Sequence, residues 1–292
     1  MKQGLRADPL ARAMPAVFVL IWSTGFIVAR FGMPHAPPMK FLAMRYVLSV
    51  ACFLVWALAA RAIWPVGRRQ WSHLAATGVL MHAGYLGGVW AAVKDGMGAG
   101  LSSLLVGLQP VLTAIWISML GGRVTSRQWA GLALGLLGLV LVVWQKLGLG
   151  EVHPRNFAFA ITALFSITAG TLYQKRFVTP CDVRTANLVQ LAAAFAVTLP
   201  LALLETEAMQ WTGQLAGAMA WSVLALTLGG SSLLYLLIQR GAAASVTSLM
   251  YLVPPCTALL AWLLFDEPFT ALTLAGMALT AVGVSLVVRQ RA

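Results

Sequence analysis

Residues 98–120 read GAGLSSLLVGLQPVLTAIWISML, and a related stretch recurs 144 residues later, at 242–264, as AAASVTSLMYLVPPCTALLAWLL. Both stretches are apolar, and each carries a proline near its middle, Pro110 and Pro254. With one residue inserted, the identities continue as Gly131 with Gly276, Gly138 with Gly283 and Leu141 with Leu286. The shift is close to half of the 292 residues, so the sequence indicates an internal duplication.

The composition is that of a polytopic α-helical membrane protein. Hydrophobic residues make up 60% and charged residues 10% of the chain, whereas soluble domains carry about 25% charged residues. The net charge of +12 does not indicate nucleic-acid binding, because the basic residues lie between apolar runs, where they anchor loops to the cytoplasmic face. Cys52, Cys181 and Cys256 lack the spacing of a metal site, and we expect neither a metal nor a disulfide.

Ten apolar runs of about 20 residues are each long enough to cross roughly 30 Å of hydrocarbon. They are residues 13–31, 41–60, 72–92, 97–120, 126–145, 157–176, 185–204, 218–239, 243–265 and 270–288. The first run follows basic residues, as a signal peptide also would. No small-residue cleavage site follows it and nine further runs do, which favours a first membrane helix. The remaining residues suffice for loops and tails, so no soluble catalytic domain is expected.

The distribution of Lys and Arg predicts the orientation. With the N-terminus inside, the outer side holds only six of the 20 basic residues: Arg30, Lys40, Arg45, Lys94, Lys146 and Arg155. Six of the eight acids fall on the same outer side. The positive-inside rule therefore predicts that both termini and the loops 61–71, 121–127 and 175–184 are cytoplasmic.

Five spans per half is an odd number, so the two halves must cross the membrane in opposite senses. We expect repeat one at residues 13–145 and repeat two at 157–288, each with five helices. Inverted repeats are typical of secondary transporters, which bind the substrate near the membrane midplane between the halves.

The stretch 254–287, PPCTALLAWLLFDEPFTALTLAGMALTAVGVSLV, resembles the end of the EamA domain of the drug/metabolite transporter superfamily. Trp22-Ser23-Thr24-Gly25-Phe26 is similar to the family's opening stretch, and Met44-Arg45-Tyr46 to its arginine-aromatic pair in span two. The resemblance implies ten helices in two inverted halves and export of amino acids or other metabolites, as in YddG-type exporters of the bacterial inner membrane. The family's glutamate after span four is Arg123 here and is kept as Glu267 in the second half, so we give it no transport role.

Polar and aromatic residues inside the spans are the candidates for a binding site. Spans four and nine carry the mid-membrane prolines, and inverted-repeat symmetry predicts the site between them, faced by spans one, three, six and eight. The expected lining residues are Trp22, His82, Tyr85, Ser103, Thr168, Ser248 and Tyr251. Each has a structural alternative: His82 as a neutral hydrogen-bonded histidine, the hydroxyls bonded to their own helix, and Trp22 in the core.

Two further features have more than one interpretation. Arg45 lies about five residues into span two from the outer side, where its side chain can orient outward toward the interface. We expect a structural role for it, with a carboxylate contact in the outer vestibule as the alternative. Gly131 and Gly135 form a GxxxG motif, and Gly276 and Gly283 mark span ten. We expect these faces to be sites of helix packing, and the sequence leaves undecided whether a homodimer forms through them.

No Asp or Glu lies well inside any span, and no phosphate-binding loop is present in the sequence, so neither a carboxylate proton relay nor ATP coupling is expected. The leading hypothesis is a transporter that exports small metabolites, most of all neutral or aromatic amino acids, without a cofactor. The alternatives are nucleotide-sugar or drug transport within the superfamily, and a membrane-embedded enzyme, which would need clustered acids or histidines.

Overall fold

The computed structural model describes residues 9–119, 125–148, 150–233, 252–267 and 270–288. Within them the chain is helical and no strand is present, which confirms the all-α part of the predicted fold class. The α-helices are α1 Pro9–Gly32, α2 Pro38–Ala59, α3 Arg68–Gly78, α4 Tyr85–Lys94, α5 Ala99–Val106, α6 Gln109–Met119, α7 Ser126–Gly148, α8 Pro154–Phe177, α9 Val183–Leu204, α10 Gly213–Trp221, α11 Val253–Phe265 and α12 Ala271–Val288.

Among the described residues, six helical stretches are long and apolar enough to cross a membrane. They are Pro38–Ala59, Arg68–Lys94, Ala99–Trp116, Ser126–Gly148, Pro154–Phe177 and Val183–Leu204. Shorter apolar helices are Ala16–Gly32, Val253–Phe265 and Ala271–Leu286. All of them coincide with runs identified in the sequence, because hydropathy over 20 residues is what a membrane span requires.

Local sequence signals place several helix ends. Pro38, Pro154 and Pro254 lie in the first turn of α2, α8 and α11, where the missing N–H costs no intrahelical bond. Asp182 caps α9 by accepting a hydrogen bond from the Arg184 backbone N–H. The Arg184 side chain also bonds this carboxylate and lowers the pKa of Asp182 below its ordinary value. Gly67 precedes α3 with φ +83°, a conformation that glycine adopts without strain.

Three spans are less regular than the hydropathy pattern predicts. A π-helical segment, Val79–Gly84, joins α3 to α4, and a second, Ser222–Ser231, follows α10. Span four divides at Gly107 into α5 and α6, one turn before Pro110. The helix of span four is therefore broken just before its mid-membrane proline.

Small residues allow close helix packing in three places. α7 lies along α12, where a Cβ on Gly138 would collide with the Gly276 backbone. α5 lies against α11, with Gly107 facing Pro254, and α4 lies against α8, with Gly88 facing the backbone of Phe159. Since α12 covers the glycine face of α7 within one chain, that face is not available for a second copy.

The bundle has two chemically different ends. Among the described residues, the acidic end comprises 33–40, 94–98, 146–148, 150–156, 204–214, 265–267 and 270, joined by bonds such as Lys94 to Glu207 at 2.7 Å. The basic end comprises residues 60–70 and 175–185, joined by bonds such as Gln70 to the Thr179 carbonyl at 2.8 Å. Asp95, Glu151, Glu205, Glu207, Asp266 and Glu267 lie at the acidic end. Arg61, Arg68, Arg69, Lys175, Arg176 and Arg184 lie at the basic end with Asp182.

Candidate functional site

A cavity lies in the middle of the bundle, with about 850 Å³ of space free of atoms, open solvent included. Its walls come from α1, α2, α4, α8, α9 and the two π-helical segments. The lining side chains with polar atoms are Trp22, Arg45, His82, Tyr85, Trp90, Gln174, Asn187, Gln190 and Ser231. The remaining lining residues are Gly25, Phe26, Met81, Leu86, Val89, Ile167 and Leu226.

Three of the residues expected at a site lie together on this cavity: Trp22, His82 and Tyr85. The Tyr85 side chain is 5% exposed and interacts with Trp22, while His82 interacts with Gln190 of α9. Trp22 packs against Phe18, with the ring centroids 5.2 Å apart. The arrangement gives one wall of aromatic rings and one edge of neutral hydrogen-bonding groups.

The two predicted hydroxyls on spans four and six lie elsewhere. Ser103 is 1% exposed and donates to the Gly100 carbonyl at 2.7 Å, and Thr168 is fully buried and donates to the Leu164 carbonyl at 2.7 Å. Neither lines the cavity, because each hydroxyl satisfies its own helix backbone. Ser248 and Tyr251 lie outside the described residues.

The position of the cavity differs from the expected one between spans four and nine. In the described residues, α5 and α11 are in close contact at Gly107 and Pro254, and no residue of α5 or α6 lines the cavity. Small residues bring these two helices together, so little space is left between them. Helices α2 and α9, which were not expected at the site, supply part of the wall in their place.

Arg45 is the largest departure from the sequence-based expectation. Its side chain is 5% exposed and faces the cavity, so the expected outward orientation is wrong. Its Nε and Nη2 donate to the Thr227 hydroxyl at 3.1 and 3.0 Å. Thr227 lies in the second π-helical segment, and its hydroxyl in turn donates to the Ser222 carbonyl at 2.8 Å.

The neighbouring Tyr46 bonds to the first π-helical segment. Its hydroxyl donates to the His82 carbonyl at 2.9 Å, in the first π-helical segment. π-helical turns are frequent at functional sites, because their widened i→i+5 spacing frees backbone groups and redirects side chains. Adjacent residues of α2 thus bond to both π-helical segments, and both segments line the cavity.

Sequence reasoning also missed the amides Gln174, Asn187 and Gln190. Asn187 and Gln190 are three residues apart on α9, so they share one face of a helix that is otherwise apolar. A polar side chain within an apolar span is the signal that identified His82, and these three amides carry the same signal.

Carboxylates are absent from the described lining and serve instead as caps at the acidic end. Glu267 accepts from the Ala99 backbone N–H at 2.9 Å and Glu205 from the Lys40 N–H at 2.8 Å, at the starts of α5 and α2. Glu267 therefore has a structural contact at the start of α5. Among the described residues, no group of three or more His, Cys, Asp or Glu could hold a metal ion.

Known proteins resemble this chain over most of its length. The model of the EamA-like transporter family matches residues 13–144 and 156–289. A probable amino-acid metabolite efflux pump of Salmonella typhimurium is 27% identical over 161 residues, or 54% of this chain and 51% of that protein, so the match spans about half of the relative. The uncharacterized inner membrane transporter YedA of Escherichia coli is 24% identical over 86% of this chain and 81% of its own length.

The fold also matches a solved structure. A crystal structure superposes with a TM-score of 0.68 at 18% identity, covering 94% of this chain and 95% of the other. An identity this low supports the fold alone. With two family matches that together cover nearly all of the sequence, the chain is a multi-pass membrane protein and belongs to the EamA-like transporter family.

Proposed function

We propose that this protein exports small neutral amino acids, aromatic ones included, across a bacterial inner membrane by alternating access around the central cavity. The observation that carries the proposal is the cavity itself, lined from both family matches by aromatic rings, amides and one buried cation. Such a lining offers apolar surface for a side chain and hydrogen bonds for polar ends, and it gives an acidic side chain or a second ammonium group no dedicated partner. Trp22, His82 and Tyr85 are the proposed substrate-binding residues.

The named relatives support the direction and the class of cargo. One is called an amino-acid metabolite efflux pump and one an inner membrane transporter. At 24–27% identity these names support a general assignment. The apolar and aromatic cavity wall narrows it to substrates with an uncharged side chain.

Helix contacts support two inverted repeats, residues 13–145 and 157–288, of five spans each. The contact of α2 with α9 pairs span two with span seven. The contact of α5 with α11 pairs span four with span nine, and that of α7 with α12 pairs span five with span ten. Each of these contacts joins helices at equivalent positions in the two halves, as a pseudo-two-fold axis requires. The two π-helical segments are also equivalent, since residues 79–84 shifted by 144 fall on 223–228.

The charges of the two ends support both termini in the cytoplasm. The basic end contains two of the loops that the positive-inside rule assigns to the cytoplasm, 61–71 and 175–184. The lining extends toward this end, because Gln174 and Asn187 lie within about one turn of the ends of α8 and α9. At the acidic end, Glu205, Glu207 and Glu267 bond across the two family matches. We therefore assign the described conformation as closed outward.

A transport assay in liposomes tests this function. Purified protein is reconstituted in vesicles preloaded with radiolabelled phenylalanine, alanine, glutamate or lysine, and release is followed against protein-free vesicles. Phenylalanine and alanine should leave faster than glutamate and lysine. Release of none of the four, with rapid transport of a nucleotide sugar or a drug, would replace this proposal by the alternative within the superfamily.

A further inference from the structure

Arg45 is a buried cation without an acidic partner among the described residues. Its side chain is 5% exposed and faces the cavity. The Lys and Arg ion pairs within the described part of the chain, at Lys94, Lys146, Arg155 and Arg184, all lie near the ends of the bundle.

The bonds that Arg45 does make leave most of its capacity unused. A guanidinium carries five N–H donors in a planar fork, and two of its nitrogens, Nε and Nη2, reach the single oxygen of Thr227. That hydroxyl gives its own proton to the Ser222 carbonyl at 2.8 Å, so it accepts from Arg45 without adding a negative charge. A buried cation compensated only by a neutral acceptor is costly, and a carboxylate bound through two parallel N–H···O bonds is the partner that best matches the fork.

The rest of the described lining has no charged partner for an ammonium group. The described wall contains no carboxylate, and its other polar groups are neutral amides, indoles, a phenol, a hydroxyl and His82. Trp22 and Tyr85 stand on the same cavity as Arg45, where they can cover an apolar side chain. The electrostatics are therefore one-sided and favour an anion.

We propose that Arg45 is the carboxylate-binding residue of the cavity and that cargo is recognised as a monocarboxylate with an apolar side chain, whether or not it carries an α-ammonium group. This inference rests on the proposed export function and names the cargo class for the same site. It follows that deaminated relatives of the neutral amino acids are cargo as well.

The first test needs no variant. Export of radiolabelled phenylalanine from liposomes is measured with 3-phenylpropanoate, which lacks the ammonium, or phenylalaninamide, which lacks the carboxylate, as competitor. 3-Phenylpropanoate should inhibit within about threefold of phenylalanine itself, and phenylalaninamide at least about tenfold more weakly, since only the former keeps the charge-assisted pair. Equal inhibition by both, or stronger inhibition by the amide, overturns the proposal.

The second test changes the residue. Arg45→Gln should raise the KM for phenylalanine about tenfold or more, and Arg45→Lys should raise it less, since it keeps the charge and loses the fork. Arg30→Gln is the matched control: it removes a partly buried arginine of α1 that does not line the cavity, and KM should stay within about twofold. An unchanged KM in folded Arg45→Gln contradicts the proposal, and if that variant does not fold, the competitor pattern decides.

A third measurement separates failure of this inference from failure of the export function. If wild-type protein moves no amino acid, its melting temperature in detergent is measured with 3-phenylpropanoate and with phenylalaninamide. Stabilisation by the carboxylate alone, present in Arg30→Gln and absent in Arg45→Gln, keeps the subsite although the export proposal is lost. Equal effects of both compounds overturn the subsite.

Discussion

Arg45 and Tyr46 are adjacent in sequence and bond in different directions. Arg45 donates to Thr227 in the second π-helical segment, and Tyr46 donates to the His82 carbonyl in the first. Adjacent helical side chains point about 100° apart, so neighbouring residues can reach two different helices. A change in the hydrogen bonds of Arg45 would therefore affect the second π-helical segment, while the bond from Tyr46 to the first segment stays in place.

Tyr85 should matter most for aromatic cargo. Tyr85→Ala removes a ring from the cavity wall and should raise the KM for phenylalanine about 3- to 10-fold, because an aromatic contact is worth about 0.5–1.5 kcal/mol beyond its area. The KM for alanine should change less. The control is Phe165→Ala, which removes a ring that is 49% exposed on α8 and is not part of the cavity lining. A Tyr85→Ala transport profile identical to wild type for both substrates would contradict this role.

Side-chain chemistry explains which site residues could be identified from the sequence. His82 and Tyr85 are large polar groups at helical spacing inside an apolar run, and both line the cavity. Ser103 and Thr168 look equally polar, yet a hydroxyl can satisfy itself on the preceding helical turn, so composition does not reveal where it points. Arg45 was misjudged because depth in the membrane was considered without the neighbouring Thr227.

The π-helical segments could not be predicted from hydropathy. The hydrophobic periodicity of about 3.6 residues does not distinguish an α-helical turn from a π-helical turn with one extra residue. Both segments also lie within continuous apolar runs. Contacts explain their location better: a Cβ on Gly84 would meet Ser166, and one on Gly78 would meet the Gln190 backbone. The helix that carries His82 is thus packed closely on α8 and α9.

Glycine packing between α7 and α12 gives a stability prediction. Gly138→Ala places a methyl group against the Gly276 carbonyl and the Thr280 backbone N–H, neither of which is the end of a flexible side chain. We expect a loss of about 1–3 kcal/mol in the free energy of unfolding. The measurement is thermal or denaturant unfolding in detergent.

Gly217→Ala is the matched control for that variant. Gly217 lies inside α10, and a Cβ there would meet nothing within 4 Å. The alanine should be neutral or stabilising by up to about 1 kcal/mol, because it restricts the unfolded chain and favours helix. Equal stability of Gly138→Ala and Gly217→Ala would show that the α7–α12 contact is not tight.

At the scale of the whole molecule, acids lie at the ends and the described cavity wall has none. Each of the eight Asp and Glu residues replaced singly by its amide should leave substrate-driven export within about twofold of wild type, because none is available as an intramembrane relay. Glu205 and Glu267 variants are compared after correction for the amount of folded protein, since both residues cap helices. Complete loss of export in one folded acid variant would require a carboxylate-coupled mechanism.

The positions of the spans could be predicted well from the sequence, but the location of the cavity could not. Span positions follow from hydropathy alone, and the described helices coincide with the expected runs. The location of the cavity depends on which helices approach closely, and small residues on spans four and nine predict closeness as readily as a lining. The Gly107–Pro254 contact shows that these two spans pack closely together. The cavity instead includes residues of α2 and α9 in its wall.

Orientation is the remaining prediction, and cysteine accessibility measures it. In a background with Cys52, Cys181 and Cys256 replaced by alanine, single cysteines are placed at Val66, 89% exposed at the basic end, and at Gln210, exposed at the acidic end. An impermeant thiol reagent on intact cells should label Gln210→Cys and not Val66→Cys, and both should react after permeabilisation. Because 14 of the 20 basic residues belong to the side assigned to the cytoplasm, the reverse pattern would mean that the positive-inside rule fails for this chain. It would also turn the proposed outward-closed conformation into an inward-closed one.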